Sequence, residues 1–195
     1  MTKLIKYLIL ISILIFATGC THKISITPNS NNFAKNTNNI KNYNVAYFLD
    51  KSKQNLSVVT PGGGGDKVEY KPYEDTEYSF RRVLSSIFNK VYKLNSLDDI
   101  NFINKNNIQY VFTYSLKTNS SSESSITWPP TNFDILMECY ARDEEGKLIW
   151  NETIHESAYA EFSEFKNDLG LSGKRASEKV FSKLYINLKN SNKFK

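Results

Sequence analysis

Residues able to do chemistry are few in this chain of 195 residues, which has two His and two Cys. His155 stands between Glu152 and Glu156, a set of metal-ligating types. On a strand, however, the two glutamates share one face and His155 points to the other, so three ligands do not converge. No serine lies in a nucleophile-elbow context, and His155 has no assigned acid partner, which removes Ser–His–Asp catalysis. Cys139 falls in the middle of an apolar strand and reads as a buried, inert thiol. The run Pro61-Gly-Gly-Gly-Gly-Asp-Lys67 suggests a phosphate loop. That chemistry needs a helix N-terminus directly after the glycines and a hydroxyl residue after the lysine. Strand-like Val-Glu-Tyr follows instead. No catalytic set, metal or cofactor is expected, and the chain reads as a binding protein rather than an enzyme.

Two unusual segments remain as candidate partner-binding sites. Gly62, Gly63, Gly64 and Gly65, followed by Asp66, form either a tight turn using positive φ or a loop that a partner orders. Ser120–Thr131 is serine-rich and ends in Trp128, Pro129 and Pro130, where the proline pair extends the backbone. Trp128 is either a lid over the core or an exposed recognition aromatic. Together with Tyr70 and Tyr73 it would give an aromatic surface at one end of the sheet, able to stack on a sugar or a peptide. Lys174, Arg175, Lys179, Lys183 and Lys189, with Lys193 and Lys195 behind them, form a basic face. Such a face is solvated, or else touches acidic headgroups or an anionic polymer.

The elements positioning these residues follow from periodicity. Tyr43–Leu49 and Leu56–Thr60 read as strands. A helix is expected from Asp75 to Leu94, with Phe80, Val83, Leu84, Ile87, Phe88, Val91 and Tyr92 on its apolar side. A short helix over Ser96–Asn104 precedes a strand at Ile108–Leu116. Phe133–Ala141 alternates Phe133, Ile135, Met137, Cys139 and Ala141 on one face. Asp143–Gly146 turns the chain into a partner strand from Leu148 to about Phe162. A last helix, Ser172–Asn190, carries Ala176, Val180, Phe181, Leu184, Tyr185 and Leu188 as its stripe. Two one-sided helices need a sheet to cover. The fold class is therefore α/β (α+β), a single mixed sheet packed by two main amphipathic helices, spanning residues 43–190.

The first residues stand apart. Lys3 and Lys6 precede an apolar run from Tyr7 to Phe16, about 10 residues, where a membrane-spanning helix needs roughly 20. A basic start, a short apolar middle and small residues before a cut site make a secretory signal. The end of that signal, Ala17-Thr18-Gly19-Cys20, resembles the bacterial lipoprotein signal, with Ala17 where that family usually has Leu. The resemblance implies cleavage before Cys20 and lipidation of Cys20, the only group the chain would carry. Thr21, rather than Asp, after the cysteine implies the outer membrane, facing the periplasm, with the cell surface also open. Loss of residues 1–19 removes two lysines and lowers the net charge from +5 to +3. A net charge of +3 is too small by itself to read as a nucleic-acid signature. Residues 20–42, rich in Asn, Thr, Ser and Lys, read as a flexible tether, with a short strand at Ile24–Thr27. Residues 191–195 read as a basic tail.

Two further likenesses rest on the body of the chain. GGGGDKVEYKPY, SSIFNKVYKL, SSESSITWPPTNF and EFKNDLGLSGKRA, in that order, resemble a family of small bacterial envelope lipoproteins without an assigned activity. The element order is similar to lipoproteins with a domain like the N-terminal domain of TolB, among them activators of peptidoglycan synthases and an exopolysaccharide-export lipoprotein. These imply a membrane-anchored accessory factor that binds an envelope protein, or alternatively peptidoglycan or an exported polysaccharide, with oligomerisation left open.

Overall fold

The computed structural model describes residues 20–29, 40–61, 66–122 and 132–194. Its elements in chain order are β1 (Thr21–Lys23), β2 (Lys41–Phe48), α1 (Lys51–Gln54), β3 (Val58–Pro61), β4 (Lys67–Tyr70), α2 (Pro72–Ile87) and β5 (Phe88–Leu94). There follow α3 (Ile100–Lys105), β6 (Ile108–Ser121), β7 (Asn132–Asp143), β8 (Leu148–Tyr159), α4 (Phe162–Phe165), α5 (Leu171–Asn190) and a 3-10 turn, Asn192–Phe194. The fold is mixed α+β, as expected.

The main sheet has the order β5-β2-β6-β7-β8. Strand β2 pairs in parallel with both β5 and β6, while β6, β7 and β8 form an antiparallel meander. Phe133, Ile135, Met137, Cys139 and Ala141 are all buried on the face that α2 and α5 cover. Phe80, Val83, Leu84 and Ile87 of α2 meet them, with Ala176, Val180, Phe181, Leu184 and Leu188 of α5. A smaller cluster on Ala46, Leu94, Ile103, Ile108 and Val111 includes Ile103 of α3. Helix α2 starts well because Pro72 occupies its first turn, where no amide partner is lost, and Glu74 and Asp75 face the positive helix end.

Four expectations need correction. The sheet is not single: β1, β4 and β3 form a separate three-stranded sheet, with β1 parallel to β4 and β3 antiparallel to it. The long helix ends at Ile87, where Phe88 turns to extended backbone and residues 88–94 become β5. Phe88, Val91 and Tyr92 fit a helical stripe by spacing, but β-favouring Val91 and Tyr92 pair more profitably along β2. The tether is not free over residues 20–29. Its strand lies at Thr21–Lys23 rather than Ile24–Thr27, and Ile26 is fully buried in the main core. The tail is anchored as well, since Phe194 is buried with its ring 5.5 Å from Phe88 and 5.7 Å from Phe112. Lys41 reinforces that end by donating from Nζ to the carbonyls of Ser191 and Phe194. The signal segment 1–19 and tether residues 30–39 lie outside the described residues.

Candidate functional site: the end where Cys20 and two loops meet

Cys20 is exposed, and its main-chain N–H donates to Asp66 Oδ1 at 2.8 Å. The other carboxylate oxygen of Asp66 lies 3.0 Å from His22 Nε2. Lys67 N–H returns a bond to the Cys20 carbonyl at 2.8 Å, and the parallel register continues as Thr21 with Lys67, His22 with Val68 and Lys23 with Glu69. Asp66 therefore closes the end of the β1–β4 ladder, where main-chain donors would otherwise need water.

The next residues are held by a second carboxylate. Asp75 accepts from Ile26 N–H at 2.8 Å, Ser25 Oγ at 2.9 Å and Thr27 Oγ1 at 3.1 Å. A third, Glu178 on α5, accepts from Asn29 N–H at 3.0 Å. Two glycines leave room for this path: a Cβ on Gly170 would collide with the Ser25 carbonyl, and one on Gly173 with the Ile26 side chain. Sequence reasoning named Cys20 and Asp66 but not Asp75, Glu178, Gly170 or Gly173. A signal was present in Gly173, a glycine inside a helix, which often marks close packing.

The glycine loop 62–65 and the segment 123–131, with Trp128, Pro129 and Pro130, lie outside the described residues. Their roots are described and touch. Thr60, at the end of β3, hydrogen-bonds through its hydroxyl to that of Ser120, at the end of β6. Beneath them Tyr70 donates from its hydroxyl to Thr118 Oγ1 at 3.0 Å and sets its ring 5.1 Å from that of Phe133. The described residues flanking the two segments, Thr60 and Ser120, thus lie side by side, and Asp66, which follows the glycines, is tied to Cys20.

Tyr70 and Tyr73 do not form the expected aromatic surface. They are 1% and 2% exposed. Val68 and Tyr70 alternate inward on β4 against outward Lys67, and the Tyr73 hydroxyl accepts from the buried Leu116 N–H at 3.0 Å. Burial raises the Tyr70 hydroxyl pKa above its ordinary value. Both rings support the loop roots from below.

The other candidates are placed as follows. Glu152 and Glu156 face the helix layer with Ile154, and His155 faces away, 3.9 Å from Asp134 of β7. Glu156 is paired with Lys183. Among the described residues no group of three His, Cys, Asp or Glu side chains is placed to hold a metal ion. Cys139 is fully buried, and desolvation pushes its thiol far above the reactive range. The basic face of α5 is largely committed within the fold. Lys174 pairs with Asp168 at 2.7 Å, Arg175 grips Glu164 through two nitrogens, and Lys179 donates to the Ser157 carbonyl at 2.8 Å. Lys189 lies 5.5 Å from the centre of the Tyr185 ring.

Among the described residues no helix is long and apolar enough to cross a membrane. No family model matches the chain, and no curated protein matches it. Solved structures do. A Caulobacter crescentus chain provisionally designated a lipoprotein aligns over 42% of this chain and 66% of its own, with 10% identity and a TM-score of 0.31. PelC from Paraburkholderia phytofirmans, solved as a dodecamer, covers 75% of this chain and 90% of its own at 12% identity and a TM-score of 0.44. Protein XCC0632 from Xanthomonas campestris, described under the DUF330 family, covers 85% of this chain and 92% of its own at 9% identity, with a TM-score of 0.51. The chain shares the fold of that DUF330 protein.

Proposed function

We propose that this chain is a non-enzymatic accessory protein of the bacterial envelope, anchored by acyl chains on Cys20 and binding a partner protein through its two-loop end. Its setting would be the periplasmic face of the outer membrane. One observation carries the reading: Cys20 is exposed and bonded to Asp66, at the root of the glycine loop, beside the root of the Trp-Pro-Pro loop. Acylation on sulfur leaves the Cys20 nitrogen a donor, so the bond to Asp66 is compatible with a lipidated residue. Two or more acyl chains suffice for stable attachment without a spanning helix.

The glycan-binding alternative is less well supported. It calls on Tyr70 and Tyr73, which are buried, on Trp128, which lies outside the described residues, and on cations of α5 that are mostly paired within the fold. Two experiments test the proposal. Radiolabelled palmitate should enter the wild-type protein and not Cys20→Ser. Crosslinking in whole envelopes should give a partner adduct that disappears when Gly63–Gly65 and Trp128 are replaced together. Label in Cys20→Ser would sink the anchor, and an unchanged adduct would sink the surface.

A further inference from the structure

Most cations on α5 are paired or bonded within the fold, which makes two elsewhere conspicuous. Arg81 and Arg82, on the third turn of α2, form no ion pair and no side-chain hydrogen bond with any described residue. They line a groove of about 360 Å³ together with Tyr78, Ser85 and Val91. Tyr78, Arg81, Arg82 and Ser85 follow the three- and four-residue spacing that places them on one stripe of the helix. That stripe lies beside the buried one of Phe80, Val83, Leu84 and Ile87. Tyr78 is 61% exposed. The nearest acid on the helix is already engaged: Glu77 accepts from Tyr47 at 2.9 Å and pairs with Lys93 at 2.6 Å.

Val91 supplies the other wall, and it belongs to β5, the end strand of the main sheet. Strand β5 pairs with β2 on one side, and among the described residues no strand pairs with the other. An end strand keeps a row of main-chain N–H and C=O groups able to bond a further strand. A row of main-chain partners beside two unpaired guanidinium groups is selective in two ways. The strand edge favours an extended backbone, and the arginine forks favour carboxylates, which they bind through paired N–H donors.

The geometry points to a docking site for an extended acidic segment of a partner protein, added as a strand to the outer edge of β5. Because side chains of a strand alternate, every second residue of that segment faces α2. Acidic residues at those positions meet Arg81 and Arg82, and an aliphatic stem can lie on the Tyr78 ring. The remaining positions face the side of the sheet where Tyr92 packs on Phe102 with ring centres 5.8 Å apart. The segment it fits thus alternates acidic and apolar residues. This surface goes beyond the two-loop end and shares no residue with it.

The test uses the full mature chain in zwitterionic detergent and a short fluorescent peptide alternating glutamate and valine. Anisotropy should show saturable binding at low salt. Arg81→Gln with Arg82→Gln should weaken it by about tenfold or more while leaving the thermal midpoint unchanged. A peptide with N-methyl groups on alternate main-chain nitrogens should lose binding, and the amides of β5 should gain protection from hydrogen exchange when the unmodified peptide is bound. Absence of binding, or binding indifferent to either change, overturns the proposal. So does an arginine-dependent preference for vesicles of phosphatidylglycerol or for a soluble polyuronate over the peptide, since those polyanions need no strand edge.

Discussion

Asp66 receives the main-chain N–H of Cys20 at 2.8 Å, although the two residues lie 46 positions apart in the chain. The same carboxylate reaches His22, so one side chain holds β1 to the start of β4 at two points. Asp66→Ala is expected to release β1 without unfolding the main sheet. Hydrogen exchange at Thr21–Lys23 should rise sharply, while amides of β6 and β7 keep their protection. Loss of a charge-assisted bond at a half-buried site should cost about 1.5–3 kcal/mol locally.

Gly173 gives a second view of the same docking. A Cβ there meets the Ile26 side chain, and Phe133 Cδ2 lies 3.3 Å away. Gly173→Ala should destabilise the domain by about 1–3 kcal/mol, the usual cost of overpacking. Shortening the neighbour as well, with Ile26→Ala, should recover part of that loss because the two sites share one space. Thermal unfolding of the two single variants and the double variant measures the coupling. Additive losses would show that Ile26 does not occupy that space.

Phe194 tests the end of the chain. Its ring contacts Phe88, Tyr110, Phe112 and Trp150, with centre distances of 5.5, 5.2, 5.7 and 6.0 Å. Phe194→Ala should cost about 3–5 kcal/mol, the range for a buried aromatic. Denaturant unfolding should show a lower midpoint with an unchanged slope. A loose basic tail would give no shift.

Acid should act on the contact between α4 and α5. The Arg175 guanidinium holds the Glu164 carboxyl down to about 2, aided by the Glu161 N–H at the start of α4. A carboxyl held below its unfolded value of roughly 4.3 stabilises the folded state in its ionised form. That contribution is complete above the unfolded value and disappears as pH falls through the folded one. Glu164→Gln should therefore flatten the acid-side loss of order in α4 between about pH 4 and pH 2, as read by carboxyl and amide NMR shifts. Both partners are solvent-accessible, so salt should shrink the effect.

The sequence was most legible where a period ran unbroken. The alternation from Phe133 to Ala141 and the stripe from Ala176 to Leu188 each define one buried face, and each is buried as expected except for Tyr185, which is only partly buried. The turn at Asp143–Gly146 was marked by its composition, and Gly146 indeed takes a φ of 81°. Legibility failed where two periods agree with the same residues, as at Phe88, Val91 and Tyr92, because parallel pairing with β2 is not a local property. It failed again where a single residue does the work. Nothing in a basic tail announces that Phe194 fills the core, and Ile26 is one apolar side chain in a polar run. The site was half legible. Cys20 and Asp66 were named separately, while their meeting depends on a three-residue parallel ladder with no turn to announce it. Tyr70 and Tyr73 were read as a surface because they follow an odd loop. The alternation of Val68 and Tyr70 against Lys67 and Glu69 already points Tyr70 inward, while Tyr73 is buried by its place on α2.

The docking of residues 20–29 alters how this molecule searches its surroundings. A coil of about 20 residues would let a domain sweep roughly 25 Å around its attachment point, tumbling as it went. Here the chain instead runs back along the domain, bonded at Asp66, Asp75 and Glu178. With acyl chains on Cys20, as proposed, anchor and domain would move as one body, and the anchor would set both the height and the facing of the protein. An encounter with a partner on the same surface would then become a matter of lateral diffusion and rotation about a single axis, with one rim always presented.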